Sequence, residues 1–320
     1  MAPCRSRRGD GDDRMNQTHR RNARLDRLAL IGVPALWLTL FVLVPFVIVV
    51  RLSLSESAIA MPPFEPVFDL SAGLAAFAEA LGQLDFDKYV FLTTDPLYLE
   101  SYLSSIRIAG LSTVLVLAIG YPLAYAMARA PRRLQPLLVT AVVLPFWTSF
   151  LIRIYAWMGI LARDGYMNQA LIGLGVISEP IELLSTDSAV MIGIVYSYLP
   201  FMVLPLYASL EKMDETLLEA AADLGCPPWQ AFWRITVPLS LPGVVAGCLL
   251  VFIPAVGEFV IPDLLGGSDT LMIGKTLWTE FFANRDWPVA SAVAVVLLVA
   301  LLVPIGIYQN VQARQLEASR

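Results

Sequence analysis

The stretch EAAADLGCPPWQAFWRITVP, residues 219–238, interrupts a chain that is otherwise dominated by long apolar runs. Thr216 and Glu219 have the spacing of a capping box in which Thr216 is the N-cap, so a short helix is predicted over 217–224. Gly225 follows as the residue expected to end this helix in the left-handed conformation. The stretch therefore begins as a short capped helix that ends in a sharp turn.

Two adjacent prolines, Pro227 and Pro228, come directly after this turn. Proline cannot continue the first helix, but it suits the first turn of a second one. Trp229, Phe232 and Trp233 then fall at i, i+3 and i+4, which places them on one helix face. We expect this aromatic face to hold the second helix against the rest of the protein. An amphipathic segment at a membrane surface, with its tryptophans at headgroup depth, is the alternative interpretation.

The runs on either side of this stretch are apolar enough to cross a bilayer. The chain is 57% hydrophobic and only 15% charged, which is far too apolar for an ordinary soluble domain. A bilayer core is spanned by about 20 apolar residues, and their backbone hydrogen bonds must be satisfied within the segment. The sequence therefore predicts an all-α integral membrane protein with six transmembrane helices, at about 28–50, 103–128, 134–161, 189–210, 239–261 and 289–311.

Basic residues give the predicted orientation of these helices. Eight arginines precede the first span, and the turn after the second span carries Arg129, Arg132 and Arg133. Cytoplasmic segments of membrane proteins are enriched in such residues. Both termini and the loop at 211–238 are therefore predicted to be cytoplasmic. The corresponding organisation is a cytoplasmic polar tail at 1–27, a first transmembrane helix at 28–50, an acidic outer loop at 51–102, and a cytoplasmic tail at 309–320.

The predicted outer loops together carry sixteen acidic and five basic residues. The positive-inside rule explains the scarcity of lysine and arginine there, but not the excess of acid. An acidic outer face attracts cations and cationic partners. The ordinary solubility of exposed loops is the alternative explanation.

Motifs for catalysis and metal binding are missing from the sequence. It contains no nucleophile elbow, no zinc-protease motif and no phosphate-binding loop. The three cysteines, Cys4, Cys226 and Cys248, do not have the spacing of metal ligands. We therefore expect a protein that is not an enzyme and that binds no metal or cofactor itself.

The order of residues in 219–238 resembles a known loop. Glu-Ala-Ala, a glycine after three further residues, and Ile-x-Leu-Pro after nine more form the EAA loop of permease subunits of ATP-binding-cassette (ABC) importers. Val237 in place of leucine is the one departure. The predicted position, between the fourth and fifth of six spans on the cytoplasmic side, also agrees. The matching residues are Glu219, Ala220, Ala221, Gly225, Ile235 and Pro238.

This resemblance implies a type I ABC importer permease fold in which residues 211–238 form a coupling loop. In such importers the loop docks into a groove of a separate cytoplasmic ATPase dimer, which binds ATP and magnesium, and transmits its closure to the membrane helices. A second permease subunit, here implied to be a different but related chain, completes the pore. A periplasmic or lipid-anchored solute-binding protein delivers the substrate. The implied location is the bacterial inner membrane, and no nucleic acid partner is implied.

Two further stretches resemble the polyamine branch of this family, the permeases of putrescine and spermidine importers. They are LPFWTSFLIRIYAW, residues 144–157, and GEFVIPDLLGGSDTLMIGKTLWTEFFANRDWPVASAVAVVLL, residues 257–298. The resemblance covers the transmembrane domain at 101–308 and is strongest to the putrescine permeases. A polyamine is the implied substrate, and ferric ion, thiamine or an oxyanion is the alternative.

Residues suited to a polyamine lie near the predicted outer ends of the spans. A polyamine is a multivalent cation with apolar methylene segments, which carboxylates and aromatic faces can bind. The candidate carboxylates are Glu258 and Asp263. A lipid-facing aromatic belt is the alternative interpretation of the rings. The candidate rings are Phe146, Trp147, Tyr155, Trp157 and Phe259.

Arg153 and Glu258 are charged residues inside predicted spans, at similar depth. Charges within a membrane are costly and tend to pair or to serve function. We therefore predict an intramembrane ion pair between them, with contact of Glu258 to the substrate as the alternative. Pro254 and Pro262 flank Glu258 and predict that the fifth span is broken at this end.

Outside this family, a passive cation channel or a secondary transporter is the main alternative. In that case the loop at 219–238 would only lie at the membrane surface. Transport would then persist without ATP for as long as an ion gradient is present. A membrane-embedded enzyme has no support, because no span offers a nucleophile with a neighbouring base.

Overall fold

The computed structural model describes residues 30–67 and 82–318, and most of these residues are helical. The predicted polar tail at 1–27 lies outside the described residues. A two-residue antiparallel hairpin, β1 (Glu56–Ser57) with β2 (Phe64–Glu65), follows the first helix. The helices are α1 (Leu30–Ser53), α2 (Asp87–Thr94), α3 (Pro96–Ala128), α4 (Gln135–Trp147), α5 (Phe150–Leu161), α6 (Tyr166–Gly173), α7 (Asp187–Glu211), α8 (Thr216–Asp223), α9 (Pro228–Val256), α10 (Val260–Leu265), α11 (Ile273–Trp278) and α12 (Trp287–Ala318).

Four of these helices, α1, α3, α7 and α9, are long and apolar enough to cross a membrane, and a bent pair makes a fifth if it is counted as one span. The apolar part of α12, Trp287–Leu302, is shorter than these helices. A mostly helical fold with four or five helices of membrane-spanning length is therefore confirmed. Six spans and cytoplasmic termini stay predictions.

The third predicted span, 134–161, is wrong as a single straight helix. The chain forms α4, then bends by 87° before the segment Phe150–Gly173. Thr148 stops α4 because its backbone is extended and its hydroxyl donates to the carbonyl oxygen of Pro145 at 2.8 Å. Apolar composition alone does not reveal this break, since the helices on both sides of Thr148 and Ser149 are hydrophobic.

The long helices α3, α7 and α9 pack against one another and form the centre of the fold. Their buried side chains fall into two clusters, one at each end of the bundle. We call the end that carries residues 211–238 the loop end, and its cluster includes Met127, Met202 and Leu206. We call the opposite end the Glu258 end, and its cluster includes Ile194 and Ile261.

Glycines on α9 allow α7 to approach closely at the loop end. A Cβ atom added to Gly243 would lie 2.6 Å from Cβ of Ser209 and 2.8 Å from the carbonyl oxygen of Pro205. At Gly247 an added Cβ would lie 2.7 Å from the sulfur of Met202. Small residues serve this purpose in membrane helix pairs, because apolar lipid supplies no hydrophobic drive for association and close packing must replace it.

Replacing Gly243 by alanine should therefore destabilise the protein. The helices would have to separate, and overpacking of this kind costs about 1–3 kcal/mol. The matched control is Gly110→Ala on α3, where nothing lies within 4 Å of an added Cβ and alanine is favoured over glycine by about 1 kcal/mol. Thermal unfolding of the purified protein in detergent, followed by tryptophan fluorescence, should show opposite shifts for the two variants. Equal melting temperatures would contradict a tight α7–α9 contact.

The first helix stands apart from the central bundle and packs mainly against α12. Its apolar side chains are largely exposed, with Leu30 at 76% and Leu36 at 70%. In a membrane such a surface faces lipid or another subunit, because neither polar groups nor other helices of the described chain cover it.

Candidate functional site

The helix α8 opens the loop, and it begins differently from the prediction. Asp214 caps it: Oδ1 of Asp214 accepts the N–H of Thr216 at 3.0 Å. Thr216 is the first helical residue and makes no cap with Glu219, so the predicted capping box is wrong. The backbone N–H and then the hydroxyl of Thr216 lower the pKa of the Asp214 carboxyl. Asp214 therefore accepts a hydrogen bond from the first free N–H of the helix. An ionised carboxylate is favourable at a helix N-terminus.

The turn at Gly225 is confirmed. Gly225 has a φ of +75°, and its N–H donates to the carbonyl oxygen of Ala222 at 2.9 Å. The N–H of Cys226 donates to the carbonyl oxygen of Ala221, also at 2.9 Å. These two bonds form a Schellman motif, which needs a residue in the left-handed conformation that glycine adopts without strain.

The second helix of the loop is the beginning of α9. Pro227 precedes it in an extended conformation and Pro228 is its first residue, as predicted. The helix then passes through a π-helical turn at Phe232–Thr236 and continues to Val256 without a break. The helix that contains most of the predicted fifth span, 239–261, therefore begins at Pro228 and ends at Val256.

One of the three predicted anchoring aromatics, Phe232, packs its ring against the bundle. The ring of Phe232 packs edge-on between Tyr121 and Tyr125 of α3, with centroids 5.7 Å from each. Trp229 is 66% and Trp233 is 63% exposed. The three aromatics therefore do not anchor the helix as one face, because the two tryptophans are largely exposed.

An ion pair ties the other end of the loop to α3. Arg129, directly after α3, donates from Nη1 to Oε1 of Glu215 at 2.8 Å. Its guanidinium also lies 5.5 Å from the ring centroid of Tyr125. This pair is not predictable from local sequence patterns, because the two residues are 86 positions apart.

The loop residues singled out in the sequence differ in exposure. Glu219, Ala220, Gly225 and Pro238 are exposed, Ile235 is half-buried and Ala221 is buried. The first two therefore lie on a face of α8 that is free to contact another protein, and Ala221 faces the bundle.

At the other end of α9, the predicted break at Glu258 is confirmed. The helix stops at Val256, and α10 begins at Val260. Glu258 is 8% exposed. Its Oε1 accepts the N–H groups of Phe259 at 3.2 Å and of Val260 at 3.0 Å, and its Oε2 accepts the hydroxyl of Tyr198 at 2.5 Å. A buried carboxylate is held here by neutral donors at the start of α10.

The predicted ion pair between Arg153 and Glu258 is not formed. The guanidinium of Arg153 lies 5.0 Å from the ring centroid of Phe146. The ring of Phe146 packs against that of Phe201, with centroids 5.3 Å apart. Phe201 in turn packs against Tyr198, whose hydroxyl donates to Glu258. Three aromatic rings therefore separate the two charges. Both carboxylate oxygens of Glu258 already accept hydrogen bonds from nearby donors, so the side chain does not need Arg153 as a partner.

A stack of aromatic rings lies next to Glu258. Phe259 stacks on Trp278 with centroids 4.5 Å apart and planes 12° apart. Trp278 contacts Phe282 at 4.1 Å. Trp278 is 41% and Phe282 is 56% exposed, so the stack presents ring surface. Trp278 and Phe282 are not among the residues predicted from the sequence, although their i, i+4 spacing is a usable signal.

The other predicted path residues do not join this group. Trp147 is 76% and Tyr155 is 57% exposed, and Trp157 packs edge-on against Tyr196 at 5.5 Å. Asp263 is exposed on α10, the helix that Glu258 caps. The structure therefore brings Glu258 and Phe259 together with Trp278, and leaves Trp147, Tyr155 and Trp157 outside this group.

The family model for inner membrane components of binding-protein-dependent transport systems matches residues 28–316. The chain belongs to this family. Several relatives in it are similar along most of their length. The spermidine/putrescine transport system permease protein PotB of Salmonella typhimurium (strain SL1344) is 43% identical over 272 residues, which make up 85% of this chain and 88% of that protein. The protein of the same name from Escherichia coli (strain K12) is 42% identical, with 92% of it covered.

Solved structures support the fold of this transport family. A chain in the crystal structure of a bacterial ABC transporter involved in the import of the acidic polysaccharide alginate has a TM-score of 0.66 and 18% identity, and the match covers 94% of this chain and 99% of that one. A chain of the alginate transporter in complex with its alginate pentasaccharide-bound periplasmic protein gives a TM-score of 0.68 at 17% identity, covering 95% of this chain and 98% of that one. At this identity the likeness shows the fold alone, and it confirms the predicted ABC permease fold.

Proposed function

We propose that this chain is the membrane-spanning permease subunit of an ABC importer that moves polyamines, putrescine or spermidine, into the bacterial cytoplasm. The observation that carries this proposal is the 43% identity over 85% of the chain to a spermidine/putrescine permease. The chain is a transport subunit in the inner membrane and hydrolyses nothing itself. ATP and magnesium are bound by a separate ATPase dimer.

The loop at 211–238 contacts that ATPase in our proposal. The exposed Glu219 and Ala220 on α8 are the surface that it would meet, and the buried Ala221 keeps α8 close to the bundle. The Schellman turn at Gly225 fixes the angle between α8 and α9. Because α9 runs without interruption from Pro228 to Val256, a displacement of the loop is transmitted directly to a membrane helix.

The Glu258 end handles the substrate. The stack of Phe259, Trp278 and Phe282 offers faces for ammonium groups and methylenes of a polyamine. Glu258 supplies a buried negative charge beside the stack, and the exposed Asp263 lies one turn further along. Glu258 acts through its field rather than through a direct bond to the substrate, since neighbouring donors already occupy its oxygens. Arg153 belongs to a separate cluster and is not part of this site.

The partners follow from the same proposal. A second, related permease subunit completes the pore, and a periplasmic or lipid-anchored binding protein delivers polyamine to the acidic outer face. The loop end, both termini and the ATPase are then cytoplasmic, and the Glu258 end faces outward.

Uptake of labelled putrescine and spermidine by cells that lack this chain tests the proposal. Cells complemented with the wild-type gene should show saturable uptake that stops when ATP is depleted, and cells with an empty vector should not. Uptake that survives ATP depletion while an ion gradient is kept would favour a channel or a secondary transporter. If the protein reaches the membrane and polyamine uptake is unchanged, the substrate is another solute.

Replacing Trp278 by leucine should slow polyamine uptake. An exposed cation–π contact contributes about 0.5–1 kcal/mol, so the maximal rate should fall about twofold to fivefold. The matched control is Trp37→Leu on α1, which also has a phenylalanine four residues later, with centroids 4.2 Å apart. Uptake measured at saturating binding protein should separate the two variants. Equal uptake rates for the two variants would contradict a contact between the aromatic stack and the substrate.

A further inference from the structure

Tyr121 and Tyr125 of α3, together with Arg129 directly after it, hold the loop from both sides. Tyr121, Tyr125 and Arg129 follow one another at intervals of four, which places them in a row along the helix. Tyr121 and Tyr125 enclose Phe232 on the side where the loop enters α9. Arg129 pairs with Glu215 on the side where the chain enters α8. The two ends of the loop are thus fastened to the same helix.

A further bond strengthens the tyrosine side. The hydroxyl of Tyr121 and that of Ser240 on α9 are 2.8 Å apart and share a hydrogen bond. Pro122 lies between the two tyrosines, yet α3 continues through it from Pro96 to Ala128. The row therefore belongs to one unbroken helix.

The other end of α3 is fastened to the segment that carries the aromatic stack. Oγ of Ser105 accepts the N–H of Ile273 at 2.7 Å, and the hydroxyls of Ser101 and Thr276 are 3.1 Å apart. The hydroxyl of Tyr98 donates to Glu280 at 3.1 Å. The helix has 33 residues, so it spans about 50 Å. One helix therefore contacts the coupling loop at one end and α11, with Trp278, at the other.

We propose that Arg129 and Glu215 are positioning residues that, together with Phe232 between Tyr121 and Tyr125, clamp the coupling loop to α3, so that α3 carries movement of the loop to α11. The inference rests on the proposed function in one respect, namely that a nucleotide-driven ATPase moves the loop. It does not depend on which substrate is carried.

The energetics favour a role in coupling over a role in stability. The side chain of Glu215 is 71% exposed and that of Arg129 is 24% exposed. An ion pair with an exposed partner contributes little to folding. The same pair still fixes the position of the loop relative to α3, and residues between two coupled sites typically change the coupling several-fold when replaced.

The test is a double-mutant cycle with Arg129→Gln, Glu215→Gln and the double variant, assembled with the partner ATPase and second permease in lipid nanodiscs. The reporter is Thr279→Cys, an exposed position directly after α11, in a background without Cys4, Cys226 and Cys248. The rate of its reaction with a maleimide is measured without nucleotide and with ATP under conditions that block hydrolysis. This readout needs no substrate, so a wrong substrate assignment would leave it unaffected.

ATP is expected to change the labelling rate several-fold in the parent protein. Each single variant should reduce that response about threefold to tenfold, and the double variant should be no worse than either single one, since the pair acts as a unit. The control cycle is Arg163→Gln with Glu182→Gln, another ion pair of the described chain, and it should leave the response unchanged.

Three outcomes would overturn the clamp. The first is a parent protein whose labelling does not respond to ATP, and the second is additive effects of Arg129→Gln and Glu215→Gln. The third is loss of the ATPase from the complex on purification of either single variant, because that would assign the pair to the docking surface instead.

Discussion

Polyamine uptake is expected to fall about tenfold or more when Gly225 is replaced by valine. The residue has a φ of +75°, and a side chain with a Cβ costs about 1–2 kcal/mol in that region, which corresponds to roughly tenfold in an equilibrium. A branched side chain makes the strain greater. An added Cβ would meet nothing within 4 Å, so the effect comes from the backbone alone. The turn would open, and α8 would no longer meet the ATPase at the right angle.

The chain supplies a matched control for this experiment. Gly175 has a φ of +71°, also has open space around an added Cβ, and ends α6 with the same pair of hydrogen bonds. Gly175→Val should lose a similar amount of stability but keep uptake within about twofold, since it lies outside the loop. Uptake of putrescine by complemented cells, normalised to the amount of protein in the membrane, compares the two. If Gly225→Val transported as well as Gly175→Val, the loop would not couple to anything.

A similarly large loss of uptake is expected for Glu258→Gln, with ATP hydrolysis by the complex retained. Glutamine keeps nearly the same shape and can still accept the N–H groups at the start of α10, but it removes the buried charge. Interaction of a charge with a cation about 8 Å away, too far for a direct bond, is worth about 2 kcal/mol at the dielectric constant typical near a protein surface. Even a fraction of this energy corresponds to a tenfold change in rate. Polyamine uptake and ATP hydrolysis are both measured in proteoliposomes. A variant that loses uptake but keeps hydrolysis is assembled and defective in transport.

Two further variants near Glu258 test whether its charge is responsible for the loss of uptake. Tyr198→Phe removes one donor to Glu258 but keeps the charge, so its uptake should lie between those of Glu258→Gln and the wild type. Asp263→Asn removes an exposed charge on α10 and should have a smaller effect. Normal uptake in Glu258→Gln, together with a lowered melting temperature, would mean that Glu258 only caps α10.

Local features of the loop were predictable from the sequence because they depend on neighbouring residues. Gly225 and the Pro227-Pro228 pair act through the conformations that their own backbones allow. The capping box failed since Asp214, two residues ahead of Thr216, is a stronger acceptor for the first free N–H. Spacing alone does not show which of two competing acceptors is used.

Features formed between distant segments were not predictable in the same way. Arg153 and Glu258 have opposite charges at similar depth, yet each is stabilised by partners of its own, Phe146 in one case and Tyr198 in the other. The stack of Phe259 on Trp278 depends on how α11 folds back next to α10. Hydropathy likewise missed the bend at Thr148, because it measures composition and not backbone direction.

The pairing of α1 with α12 bears on how the chain is made. The first helix is synthesised long before its main contact, since the chain from Ser53 to Trp287 lies between them. At ordinary rates of translation this interval is on the order of ten to fifty seconds. During that time α1 must be stable in the bilayer by its own hydrophobicity, which its long apolar sequence permits. A chain released from the ribosome before α12 is made would leave the first helix without its main contact. The missing segment would then lie at the C-terminal end, while the unattached helix that a membrane protease recognises would lie at the N-terminal end.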